Sequence, residues 1–133
     1  ANQHVHVLDE FNNFMEEEIY QMMIATTEDQ NELILENTTT LKVARWWDKA
    51  CDIIPCNGGK DIGIQKILDY FNFNKDEAMA FGDGGNDISM LKYVGTGVAM
   101  GNAKDEVKAI ADYITDSVQE DGIVSALKHF EII

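Results

Sequence analysis

The chain has 133 residues, 45% of them hydrophobic, and a formal net charge of -14. That length suits one domain or two small pieces with enough apolar material for a core, and the charge argues against nucleic-acid backbones and anionic membrane surfaces as partners. No apolar run approaches the roughly 20 residues of a membrane span, and no basic, apolar-cored signal segment opens the chain.

Cys51 and Cys56 are the two cysteines. They give no disulfide framework, so a reducing cytoplasm is the default compartment. Their C-x4-C spacing has no companion cluster, which favours two ordinary thiols over a zinc site. The chain opens on Ala1-Asn2-Gln3 without an initiator Met, which leaves truncation or processing open.

In chain order, residues 1–17 are polar with scattered apolar positions and read as a short helix or loose segment. His4 and His6 alternate with Val5 and Val7, but a histidine pair without a third ligand is a weak metal signal. Glu16-Glu17-Glu18 reads as a solvated face. Ile19–Ala25 is a strand candidate, 27–36 an acidic helix with Thr26 or Thr27 as N-cap, Leu41–Trp47 a second strand and Cys51–Ile54 a third. The single proline, Pro55, and Asn57-Gly58-Gly59 mark a boundary, dividing the chain into 1–54 and 55–133.

Beyond the boundary the texture changes to alternating helices and short buried strands. Ile64, Ile67, Leu68 and Phe71 recur at helical spacing. A strand is expected at Met79–Phe81, a helix from Ile88 through Leu91, and a strand at Gly97–Met100. Val107, Ile110 and Ala111 form a helical stripe. A short strand at Tyr113–Thr115 precedes a last helix carrying Ile123, Leu127, His129 and Phe130. Such alternation indicates a parallel, doubly wound α/β sheet, whose chemistry sits at the carboxyl ends of the strands.

Ala80-Phe81-Gly82-Asp83-Gly84-Gly85-Asn86-Asp87 occupies that position. It sets two carboxylates and a carboxamide on one glycine-rich turn. A hard cation such as Mg2+ takes one or two protein carboxylates and keeps waters. Asn86 can donate to a phosphoryl oxygen. The competing reading is an acidic turn with Asp87 capping the next helix. Lys60 precedes the Ile64 helix, where the helix dipole disfavours a cation; its ammonium either balances a phosphate and Asp87 in one site or belongs to an ordinary exposed lysine near a helix start. Asn102, on another strand-end turn, either supports the same site or caps the helix near Lys104.

These motifs together resemble the C-terminal half of a haloacid dehalogenase-superfamily phosphatase of the Cof-like group. The resemblance is carried by Lys60, Gly82-Asp83-Gly84-Gly85-Asn86-Asp87, Gly97-Val98-Ala99-Met100-Gly101-Asn102-Ala103, Ala111-Asp112-Tyr113-Ile114-Thr115 and Glu120-Asp121-Gly122-Ile123. It implies a Rossmannoid parallel sheet over 55–133 and part of an α+β cap domain over 1–54. It also implies Mg2+-dependent hydrolysis of small phosphorylated metabolites, typically sugar phosphates, through a phosphoaspartyl intermediate. By motif, Lys60 resembles the phosphate-stabilising lysine and Asp83 the Mg2+ ligand. Asp87 resembles the second acid, orienting metal-bound water and Lys60, and Asn86 resembles a phosphate or substrate contact. Arg45, Trp46 and Trp47 are the cap residues expected to bear on specificity, with one Trp in the core and the other lining a pocket.

Two departures stand out. Asp61 follows Lys60 where the family usually has Gly, and the D-x-D-G-T motif bearing the nucleophile does not occur. Val5-His6-Val7-Leu8-Asp9-Glu10-Phe11 imitates it poorly, since Phe11 stands where the second aspartate belongs. The resemblance therefore implies a chain that holds half a site and is inactive alone. The strand at Met79–Phe81 is expected to expose an unpaired edge that associates with the missing N-terminal half or with a second copy. A naturally truncated, non-catalytic paralogue that binds a phosphorylated ligand or partner is the alternative.

Overall fold

The computed structural model describes residues 18–133. The expectations for residues 1–17, including those on His4, His6 and Asp9, lie outside the described residues.

Two three-stranded sheets organise the chain. The first contains β1 (Met22–Ile24), β2 (Leu41–Trp47) and β3 (Ala50–Pro55), with α1 (Asn31–Leu35) between β1 and β2. Its order is β1-β3-β2, antiparallel throughout. β2 carries Val43, Trp46 and Trp47, residue types that suit a pleated surface, and it turns back through Asp48 and Lys49 into β3. Cys51 and Ile53 are buried on β3, whereas Cys56 is exposed and both thiols are free. β1 is shorter than the expected Ile19–Ala25, because only Met22, Met23 and Ile24 find partners on β3.

The second sheet contains β4 (Met79–Gly82), β5 (Thr96–Ala99) and β6 (Tyr113–Ile114), parallel and in that order. Parallel neighbours require crossovers, supplied by α3 (Ile88–Tyr93) and by the segment containing α4 (Asp105–Lys108). α2 (Lys60–Phe71) leads into the sheet and α5 (Gly122–His129) follows it. α2 stops at Asn72, whose left-handed backbone (φ 58°) closes the helix. β5 is central, and Gly97, Val98 and Ala99 are buried, as a strand covered on both faces requires. Ala80, Leu91, Val94, Ala99, Ala103 and Val107 form the core cluster, with Ile64 and Ile88 packed against it.

The expected α/β fold with a parallel sheet is therefore observed. Two helical stripes behave differently from their periodicity. α4 ends at Lys108, so Ile110 and Ala111 reach the core from the following loop. On α2, Ile64 packs inward while Ile67 and Phe71 stay 60% exposed. β4 pairs only with β5 among the described residues, leaving its other edge open.

Candidate active site

Asp83 is the first residue after β4, and the turn that follows brings Asp87 back beneath it. Asp87 is buried at 5% exposure. Its Oδ2 accepts hydrogen bonds from the backbone N–H of Asp83 (3.0 Å) and of Gly84 (3.1 Å). Its Oδ1 accepts from the Lys60 ammonium. The Asp87 side chain makes no cap bond to α3; it caps the short 3-10 turn that leads into α3, accepting from the Gly84 N–H. Gly82 is required here, since a Cβ on it would lie 2.5 Å from Asp87 Cβ.

Lys60 is the first residue of α2, where the helix dipole repels a cation. The Asp87 carboxylate offsets that repulsion by charge and by a charge-assisted hydrogen bond. Gly59, with φ 132°, sets the angle at which the chain enters α2, a conformation open to glycine and rare for other residues.

Asn102 lies on the turn after β5. Its Nδ2 donates to Asp83 Oδ2 at 2.9 Å, and its Oδ1 accepts from the Val118 N–H at 3.0 Å. Of the two sequence readings of Asn102, support of the Asp83 site is the one observed, and α4 begins without a side-chain cap.

Lys60, Asp83, Asn86, Asp87 and Asn102 line one cavity of about 430 Å³, together with Trp46, Gly84 and Lys104. A second cavity of about 870 Å³ opens beside it, between the first sheet and the start of α2. Lys60 and Asn86 belong to both. The larger cavity also presents Lys42, Lys66, Asp52 and Asp61, of which only Asp61 was singled out in the sequence, as a departure beside Lys60. Asp61 accepts a hydrogen bond from Ser89 Oγ at 3.2 Å. No periodicity or short motif marks Lys42, Asp52 or Lys66, because they meet from β2, β3 and α2.

The three cap candidates separate. The Arg45 guanidinium is occupied locally: Nη1 donates to the Thr26 carbonyl (2.8 Å) and Nη2 to Asn31 Oδ1 (2.7 Å), and its buried Nε has no partner among the described residues. Trp46 lines the smaller cavity. Trp47 is 52% exposed, so neither Trp is a core residue as expected for one of them. The pairing of β2 with β3 shifts register between Arg45 and Trp47, at the exposed end of the strand. The same hairpin turn reaches across to the second sheet, where Lys104 Nζ meets Asp48 Oδ1 at 2.7 Å.

Among the described residues no three His, Cys, Asp or Glu side chains cluster into a metal cage. Asp83 and Asp87 nonetheless suit a hard divalent cation that keeps its waters. Asp83 Oδ1 has no hydrogen-bond partner among the described residues, while both Asp87 oxygens are engaged. Asp83 therefore keeps an oxygen that could meet a cation, whereas both oxygens of Asp87 are already engaged.

The model of one protein family, the haloacid dehalogenase-like hydrolases, matches residues 1–127. The chain belongs to that family. A solved sugar phosphatase of haloacid dehalogenase subclass IIB superimposes with a TM-score of 0.84 at 43% identity, covering 92% of this chain and 47% of that one. A phosphatase of the same superfamily from Bacteroides thetaiotaomicron gives a TM-score of 0.86 at 38% identity, covering 96% and 47%. Bacillus subtilis 5-amino-6-(5-phospho-D-ribitylamino)uracil phosphatase YitU is 44% identical over 79 residues, 59% of this chain and 29% of YitU. The haloacid dehalogenase-like chain thus spans about half the length, or less, of these three relatives.

Proposed function

We propose that this chain is the C-terminal part of a Mg2+-dependent phosphomonoester hydrolase acting on small phosphorylated metabolites of the sugar phosphate kind, through a phosphoaspartyl intermediate. In this reading residues 1–54 belong to the cap, 55–133 form the second half of the core, and the nucleophile comes from residues outside this sequence. The observation that carries the reading is the convergence of Lys60, Asp83, Asn86 and Asp87 on one cavity at the carboxyl ends of parallel strands. A cytoplasmic location goes with it, supported by two free thiols.

The division of labour follows from charge. Phosphoryl transfer needs positioning and neutralisation of negative charge more than covalent help. Lys60 brings an ammonium to the phosphoryl oxygens and is held in place by Asp87. Asp83 offers its free oxygen to the cation. Asn86 lines both cavities, and its carboxamide, unengaged among the described residues, can donate to a phosphoryl or substrate oxygen. Mg2+, when bound, supplies Lewis-acid neutralisation of the phosphate.

Denaturing mass spectrometry of the active material, followed by hydrolysis of p-nitrophenyl phosphate with Mg2+, tests this. The verified single chain of 14.9 kDa is expected to give no turnover. Addition of a polypeptide carrying D-x-D-G-T is expected to restore it, and to fail when Lys60 is changed to Ala. Robust turnover by the single chain would overturn the reading.

A further inference from the structure

We propose that Asn102 is a positioning residue that aims the Asp83 carboxylate, and that the Val118 backbone N–H sets the aim of Asn102. The inference rests on the reading of Asp83 as the cation ligand. Asp83, Asn102 and Val118 follow the ends of β4, β5 and β6 respectively. They come from three separate turns, so the hydrogen-bonded chain Val118 N–H to Asn102 Oδ1, and Asn102 Nδ2 to Asp83 Oδ2, straps the three strand ends together.

The direction of the strap is fixed by chemistry. A backbone N–H only donates and an ionised carboxylate only accepts. The Asn102 amide must therefore turn its oxygen to Val118 and its nitrogen to Asp83. Loss of the Val118 donor would free the amide to rotate. With the strap in place, one Asp83 oxygen is occupied and the other is left for the cation. An outer hydrogen bond of this kind orients a metal-ligating carboxylate, and removing such a partner typically costs about 10-fold or more in metal affinity. Aspartate at 102 could not donate, and would set a second negative charge against Asp83.

Val118→Pro is the informative variant. Val118 is the first residue of a short 3-10 turn, Ser117 before it is extended, and the Val118 side chain is exposed. Proline is accommodated at such a position, so the change deletes one N–H and alters no side chain that lines the cavity.

The test is a Mg2+ titration of the isotope-labelled 133-residue chain, followed by the amide NMR shifts of Asp83 and Gly84, with thermal melts run in parallel. Asn102→Ala is expected to raise the Mg2+ Kd about 10-fold. Val118→Pro should raise it by less, and Asp83→Asn should abolish the saturable shift. The spectra of Asn102→Ala and Val118→Pro should remain folded. Unchanged Mg2+ affinity in both strap variants, with binding lost in Asp83→Asn, overturns this inference alone. Mg2+ binding that survives in Asp83→Asn, or is absent from the unaltered chain, overturns the metal reading and this inference with it.

Discussion

At the scale of single residues, Asp87 does the most. Its carboxylate closes the turn through two backbone N–H groups and neutralises Lys60. Asp87→Ala leaves those N–H groups without their partner. Charge-assisted hydrogen bonds contribute about 1.5–3 kcal/mol each, and Lys60 is half exposed, so water compensates part of its loss. A destabilisation of about 2 kcal/mol is expected, read as a lower urea midpoint with unchanged m. Gly82→Ala attacks the same point from the other side, because its Cβ would press on Asp87 Cβ at 2.5 Å. Overpacking of this kind costs about 1–3 kcal/mol, and it should also broaden or shift the Asp83 and Gly84 amide resonances. The glycine-rich turn and Lys60 were legible in the sequence because residue type and spacing state their own chemistry. Asn102 was only half legible. It stands 19 positions from Asp83 and 16 from Val118, and an asparagine near a helix start reads equally well as a cap.

At the scale of elements, the β2–β3 hairpin and the start of α4 are joined by Asp48 and Lys104. The Lys104 ammonium holds the Asp48 carboxyl below its ordinary value of 3.8, and Asp48 in turn raises Lys104 above 10.5. The acid side of the linkage has a definite sign. A carboxyl with a lowered folded-state pKa contributes its stabilisation above its unfolded value and loses it as pH falls through the lowered one. The lysine contributes below its unfolded value and loses its share as pH rises through the raised one. The contact should therefore be flat through neutral pH and fail only in strong acid or strong base. Both groups are exposed, so salt should also weaken it. Amide shifts of Asp48 and Lys104 against pH and NaCl would register this, and a transition near neutrality would contradict it. The strands themselves were largely legible. β2 was expected at its observed bounds, and β3 and β4 within a residue or two, because each is a compact run of strand-forming residues. α4 was overextended, since Ile110 and Ala111 keep a helical spacing while packing from a loop.

At the scale of the whole molecule, two unfinished surfaces lie on the same half. β4 has one unpaired edge among the described residues, and α2 exposes Ile67, Tyr70 and Phe71. An open strand edge templates association, and an apolar helix face seeks cover. The isolated chain is expected to self-associate with rising concentration in light scattering, and to return to a defined species when the D-x-D-G-T polypeptide is added. A monodisperse monomer at high concentration would count against this. The missing motif made the open edge foreseeable. The exposed α2 face was not, because an amphipathic stripe reports that a helix has an apolar side and says nothing of whether this chain covers it.

The two cavities meet at Lys60 and Asn86, and β2 and the turn after β4 each contribute other residues to both. The larger one takes much of its lining from β2 and β3; the smaller one is built mainly from the turns at the strand ends. Under the proposed function, selectivity and reactivity would then be separable under mutation. Exchanging Lys42 or Asp52 would retune what enters the larger chamber while leaving Asp83 and Asp87 untouched. New preferences could be grafted onto the hairpin side without rebuilding the half-site that the strand ends hold.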